Sequence, residues 1–351
     1  MCYNVYIKVK NMGEFEVIIY ILSYWKFFIL VIAVLIAVFY FSKKRNPGST
    51  TVNTKNLEMF AVDLTAQAKI GKIDPVVGRQ EEIDRATQIL TRRTKNNVIL
   101  VGAPGVGKTA VVEGLAGRIV TGDVPEVLLN KRVLLLQVAE LLAGTKYRGE
   151  FEQRIKGIVQ EIKNSNRTII LFIDEIHTIT QTKGTEGAVN LSDILKPALA
   201  RGDLQLIGAT TQREYEEYIQ PDESWDRRFQ VVTVNEPTSE ESIFILQGIK
   251  KNYEDYHKVK ISDEAIEAAV RLSQEYIKNR RLPDKAIDIM DEASAMVNVE
   301  KGSRHHSAAA LLHVVAKKVA TDSTEEYPIV DVDHVKDVVA EWVGMNKSEI
   351  H

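Results

Sequence analysis

The chain has 351 residues, 45% hydrophobic and 26% charged, enough for one large α/β domain and a smaller helical one. A formal net charge of −3 leaves no electrostatic footprint for nucleic acid, so a DNA-handling role is disfavoured. The only cysteine, Cys2, excludes disulfides within the chain, and the absence of H-E-x-x-H argues against a built-in zinc protease.

After a short segment, 1–23, the stretch Tyr24–Phe41 holds a single charge, Lys26, and from Phe27 onward has no polar break. That approaches the ~20 residues needed to cross hydrocarbon, with Lys26 able to snorkel and aromatics at both ends. A cleaved signal peptide fits poorly, because no small-x-small site follows the apolar run and Lys43-Lys44-Arg45 comes at once. A core helix fits worse, since the segment is apolar all round and precedes a Pro-Gly-Ser-Thr linker. The expectation is a single transmembrane helix over 24–41 and a linker over 42–56. The basic residues then put the remainder on the cytoplasmic side of the cell membrane.

The most informative stretch is Val98-Ile99-Leu100-Val101-Gly102-Ala103-Pro104-Gly105-Val106-Gly107-Lys108-Thr109. An apolar strand runs into G-x-x-x-x-G-K-T and then into helix-like Ala110-Val111-Val112-Glu113. This is the context a phosphate-cradling loop demands: glycines let backbone N–H groups close around phosphate oxygens, Lys108 reaches the terminal phosphates, and Thr109 offers a hydroxyl to Mg2+. ATP with Mg2+ is the expected ligand pair. Thr168–Ile173 is a continuous apolar run, the mark of a strand buried on both faces, and it ends in Asp174-Glu175. Ligands bind at that edge of open α/β sheets, so Asp174 is expected to hold the metal and Glu175 to polarise the attacking water. Leu204–Gly208 reads as a further strand ending in Ala209-Thr210-Thr211. Thr211 would lie beside the γ-phosphate if this strand runs between the other two; alone, a threonine there is more often a helix cap.

Strands near 97–101, 132–137, 168–173, 204–208 and 230–234 alternate with helices, which predicts a parallel sheet with helices on both faces over 57–235. After about Glu236 the apolar spacing becomes all-helical, predicting a small lid domain over 236–345 and a tail over 346–351. A further helix is expected at about His306–Ala320. Asp226-Arg227-Arg228-Phe229 precedes the last strand, and two adjacent arginines are normally an exposed ion-pairing patch.

From about Leu57 to Asn298, and again from Val330 to Met345, the chain resembles the first ATPase module of the Clp unfoldases, a branch of the AAA+ superfamily, and most closely its ClpC-like members. The residues that carry the resemblance are Asp63-Leu64-Thr65 with Asp74-Pro75-Val76-Val77-Gly78-Arg79, the phosphate loop, Gly144-Thr145-Lys146-Tyr147-Arg148-Gly149-Glu150, Leu195-Lys196-Pro197-Ala198, and Leu282-Pro283-Asp284-Lys285-Ala286. The resemblance implies an ATP hydrolase that works as a ring, a homo-hexamer, on a polypeptide substrate. It makes Arg227 and Arg228 paired fingers that enter a neighbour's site, Tyr147 the pore residue that grips a threaded chain, and the backbone at Val76 and Val77 the receiver of adenine. Ser224-Trp225-Asp226 replaces a more usual Ala-Leu-Glu before the arginines. No arginine stands at Leu282, where many AAA+ modules carry a second sensor.

The family's helical front domain, coiled middle domain and second ATPase module have no counterpart in the sequence. With the second module goes the tripeptide used to dock on the ClpP peptidase; Val343-Gly344-Met345 resembles it only superficially, so ClpP docking is not expected. The leading expectation is a membrane-tethered ATPase that unfolds or remodels polypeptides through a ring channel. The alternative is a nucleotide-switched scaffold that joins a Clp ring or membrane complex without threading; retention of Tyr147, Glu175 and both arginines favours the first.

Overall fold

The computed structural model describes residues 54–142, 148–181, 191–305 and 327–351, together with Ile32. Ile32 belongs to a separate unit, Met1–Asn53, and the compact unit starts at Thr54. The expected membrane segment Tyr24–Phe41 therefore lies outside the described residues except for Ile32. Tyr147 and the helix expected at His306–Ala320 lie outside them too.

Within the compact unit, six strands form one sheet: β1 (Ala61–Asp63), β2 (Asn97–Val101), β3 (Arg132–Leu136), β4 (Ile169–Ile173), β5 (Gln205–Thr210) and β6 (Phe229–Thr233), in spatial order β1-β3-β4-β5-β2-β6. All pairings are parallel except β1 with β3, where Ala61 opposes Leu136. The apolar runs have a direct physical cause. Ile99, Val101, Leu171 and Ile173 enter one core with Leu57, Phe151 and Trp225. Their strand neighbours Val98, Leu100, Ile170 and Phe172 enter a second core with Ile83, Val111 and Leu115. Both sheet faces are covered, so β2 and β4 carry apolar residues at nearly every position.

The helices α1 (Gln80–Leu90) and α2 (Lys108–Thr121) supply the second core, and α3 (Arg148–Asn164) and α4 (Leu191–Arg201) close the first. Helix α1 shows how the sequence does this: Ile83, Ala86, Thr87, Ile89 and Leu90 are buried, a stripe at helical spacing, while Glu81 and Glu82 in its first turn complement the helix dipole.

From Ser239 the chain folds α5 (Ser239–His257), α6 (Asp263–Tyr276), α7 (Asp284–His305) and α8 (Val332–Val343) around a third core. Thr238 and Glu241 form a capping box that starts α5, and Ser262 caps α6. This lid is not purely helical. A two-residue strand β7 (Lys260–Ile261) pairs in parallel with β8 (Ile329–Val330), too short to leave a periodic trace in sequence. Ile350 is 1% exposed and packs into the lid core.

Candidate active site

Sheet order decides which strand ends meet. β5 lies between β2 and β4, so the turn after β2, the acids after β4 and the threonines after β5 converge at one edge. The turn itself needs glycine for two reasons. A side chain at Gly102 would come within 2.3 Å of the Val234 carbonyl oxygen. Gly105 and Gly107 hold φ of +79° and +91°, a region that other residues enter at a cost. Gly107 then leads into α2, whose unpaired first N–H groups carry the positive end of the helix dipole.

Lys108 Nζ donates to the Gly102 and Ala103 carbonyls at 3.0 and 2.9 Å. Burial pushes its pKa down, against the opposing pull of Asp174, Glu214 and Glu175. Thr109 Oγ1 donates to Asp174 Oδ2 at 3.2 Å. A hydroxyl and an exposed carboxylate in contact suit Mg2+, which keeps most of its waters and takes few protein ligands. Glu175 follows with φ of +50°, and its N–H donates to Asp174 Oδ1 at 2.9 Å. Ile176 then locks back on the sheet through its N–H to the Ala209 carbonyl at 2.9 Å.

At the end of β5, Thr210 is buried, while Thr211 lines the cleft and caps the next turn by accepting from Glu214 N–H at 3.3 Å. Thr211 is thus a helix cap, and its place on the cleft wall is where the sensing position was expected. Glu214 Oε2 accepts from Thr210 Oγ1 and Thr211 N–H, each at 3.0 Å, and His177 Nδ1 is 3.1 Å away. Burial alone would raise the Glu214 pKa, but these bonds and His177 outweigh it and hold the carboxyl below its usual range.

These groups border one cleft of about 1090 Å³. Its lining includes apolar Val76 and Val77 and, from the lid, Ile245, Ile249, Pro283 and Ile287. Pro104, Gly105, Val106, Gly107, Lys108 and Thr109 line its floor. Tyr253 also faces it, with its phenol pushed up to about 12 by burial and by surrounding aspartates. Asp284 at the start of α7 packs so closely on Gly105 that a side chain there would meet its Cβ at 2.8 Å.

Arg79, Glu214 and His177 were not assigned roles by sequence reasoning. Arg79 is 6% exposed and donates to the Val106 carbonyl at 2.6 Å and the Asn235 carbonyl at 3.0 Å, while pairing with Glu82 at 2.9 Å. Arg79 closes the Asp74–Arg79 motif, but its tie to the loop and the lid is not legible there, because the two carbonyls it reaches are 27 and 156 positions away. Arg227 and Arg228 do not line the cleft. Arg228 Nη1 donates to the Ala200 carbonyl at 3.3 Å, and exposed Arg227 borders a separate hollow of about 670 Å³ with Thr180, Tyr218 and Asp222.

The description "ATPase family associated with various cellular activities (AAA)" fits residues 98–236, and the AAA lid domain fits residues 238–328. The chain is an AAA+ ATPase module of the Clp type. It is 57% identical over 271 residues to the chaperone protein ClpB of Meiothermus ruber, covering 75% of this chain and 32% of that protein. It is 54% identical over 251 residues to the Bacillus subtilis negative regulator of genetic competence ClpC/MecB, covering 72% of this chain and 31% of the relative. Among solved structures, a closed-state Hsp104 reconstruction with ATPγS and FITC-casein superposes with a TM-score of 0.72 at 39% identity, over 85% of this chain and 47% of that one. The Saccharomyces cerevisiae Hsp104–ADP complex gives 0.70 at 40% identity, over 82% and 45%. The AAA+ module thus spans about a third of the length of its curated relatives. Likeness extends to ClpB and ClpC alike, so the sequence resemblance to ClpC-like members in particular is broader than expected.

The expected membrane location is corrected. Among the described residues no helix is long and apolar enough to cross a membrane. The relatives carry the names of chaperones and a competence regulator, with nothing of a membrane in them. An apolar run of spanning length permits insertion on hydropathy alone and does not establish it.

Proposed function

We propose that this AAA+ module hydrolyses ATP within a ring of copies, a hexamer, and uses the work to unfold or remodel polypeptides. The observation that carries the reading is the separation of parts. Lys108, Thr109, Asp174 and Glu175 share one cleft, while Arg227 stands exposed on other ground, available to a neighbouring copy.

The cleft's chemistry follows from its residues. The loop amides and the start of α2 bind phosphate oxygens, and Lys108 moves from its two carbonyls to the terminal phosphates. Val76, Val77 and the lid isoleucines enclose the base, with the backbone at Val76 and Val77 reading its edge. Thr109 and Asp174 would hold Mg2+, which when bound offsets charge on the phosphates. Glu175 orients the attacking water and accepts its proton, and Thr211 holds the γ-phosphate end. Arg227 and Arg228 complete the neighbour's site; such a cation is worth on the order of 10³–10⁵ in rate in the GTPases that calibrate it. Tyr147 would grip the threaded chain.

Two variants test this reading. Glu175→Gln should bind ATP as tightly as wild type and turn it over at least about 100-fold more slowly, as the loss of a water-positioning group demands. Tyr147→Ala should hydrolyse ATP near the wild-type rate and fail to unfold a tagged fluorescent substrate. Equal unfolding by Tyr147→Ala and wild type would favour a nucleotide-switched scaffold instead.

A further inference from the structure

A continuous line of bonds leads from the end of β5 to the arginine pair. Tyr215 N–H donates to the Thr211 carbonyl at 2.9 Å, so Tyr215 is fixed to the residue that lines the cleft. Its ring is buried and its hydroxyl donates to Asp226 Oδ1 at 2.6 Å. Asp226 immediately precedes Arg227 and Arg228. On either side the arginines are held by Trp225, fully buried, and Phe229, whose rings stack 5.4 Å apart with 2° between their planes. The arginines thus project from a clamped segment, tied also by Asn97 Nδ2 donating to the Arg228 carbonyl at 3.1 Å and by Arg228 Nη1 donating to the Ala200 carbonyl, and the Tyr215–Asp226 bond is the tie that leads back to Thr211.

That attachment spans 11 residues in sequence and connects two functions that the cleft's own chemistry does not connect. Next to Tyr215, Glu214 gathers the Thr210 hydroxyl, the Thr211 amide and His177 on one oxygen. The Tyr215 N–H bond to the Thr211 carbonyl ties the two residues together at the cleft's edge. Burial and the Asp226 bond both push the Tyr215 phenol's pKa up, so it stays a donor at any physiological pH.

We propose that Tyr215 and Asp226 are positioning residues that set Arg227 and Arg228 according to the state of this chain's own nucleotide end, and so tune hydrolysis in the neighbouring copy. The inference rests on the reading of the arginines as groups that act on a neighbour. Neither residue lines the cleft; they act through the arginines. Tyr215→Phe keeps the ring in its core and deletes only the bond, and Asp226→Asn keeps the shape and removes the charge.

The test compares nucleotide affinity and steady-state ATPase for Tyr215→Phe, Asp226→Asn and the double variant, with Arg227→Ala as the reference. Each single variant should lower kcat about five-fold or more at unchanged nucleotide affinity, as loss of one hydrogen bond to a carboxylate allows, and the double variant should lose no more than the worse single. Mixing either variant with Glu175→Gln subunits should restore activity, because those subunits cannot hydrolyse but present intact arginines. Rescue of Arg227→Ala but not of Tyr215→Phe or Asp226→Asn overturns the proposal and leaves the arginine reading standing. Wild-type kcat in both variants, or loss of nucleotide affinity in step with kcat, also overturns it. Normal hydrolysis by Arg227→Ala and Arg228→Ala, or no rescue of Arg227→Ala, removes the arginine reading itself.

Discussion

Glu175 is held in a conformation that few non-glycine residues adopt, with φ of +50°, and its neighbours enforce it. Ile176, the next residue, fills the space above Gly208 so closely that a Cβ there would lie 2.5 Å from Ile176 Cδ1 and 2.9 Å from Cγ2. Glycine at 208 is thus required by a close approach, on a strand where side chains otherwise fill both faces. Gly208→Ala should push Ile176 away and carry Glu175 with it. The expected result is hydrolysis lowered about ten-fold or more with nucleotide affinity kept, at a stability cost of about 1–3 kcal/mol. Adding Ile176→Ala should recover part of the activity, and an unaffected Gly208→Ala enzyme would separate the Ile176 contact from Glu175 geometry.

At the scale of elements, the opposite edge of the sheet has its own tie. Lys131, just before β3, sits in the core's margin and donates to the Arg167 carbonyl at 2.6 Å and Gln205 Oε1 at 2.5 Å, joining the starts of β3, β4 and β5. Burial, with Arg167 nearby, pushes its pKa from 10.5 down to about 8. Below about pH 8 both folded and unfolded chains hold the proton, so the burial penalty is fully present. Between about pH 8 and 10.5 the folded chain has released a proton that the unfolded chain still holds, and stability from this residue rises with pH. The slope is at most about 1.4 kcal/mol per pH unit. Denaturant melts from pH 7 to 10 should show wild type gaining on Lys131→Met across that window; parallel curves would mean that Lys131 keeps its proton.

The same scale explains what could be read from sequence. β2, β4 and β5 were legible because burial on both faces leaves apolar runs; the limits of β2 match those expected, and those of β4 and β5 differ by one or two residues. β1, β7 and β8 were not, being two or three residues long and defined by partners elsewhere in the chain. Lys108, Thr109, Asp174 and Glu175 could be anticipated because each ends or begins an element with a strong local signature. His177 and the Tyr215–Asp226 bond carry no such mark. His177 takes its meaning from strand order, which brings it within 3.1 Å of Thr210, 33 positions away, whereas the Tyr215–Asp226 bond is made within the segment joining β5 to β6.

In the molecule as a whole, two of the three cores clasp the sheet and the third belongs to the lid, with the nucleotide cleft running between sheet edge and lid. A ligand that touches both sides stabilises both, so ATP should raise the melting temperature in a concentration-dependent way, adding roughly 2.7 kcal/mol of stability at 100 times Kd. Arg79 is the buried cation that bonds at once to the phosphate loop, through Val106, and to the entrance of the lid, through Asn235. Its guanidinium, together with the Asn252–Asp74 bond, ties the lid to the sheet side, and Arg79 is expected to couple their melting. In calorimetry without nucleotide, wild type should give one cooperative peak, whereas Arg79→Met should give two, an earlier one for the lid and a later one for the sheet. A single unbroken peak in Arg79→Met would mean that apolar contact alone carries heat-driven cooperativity across the cleft.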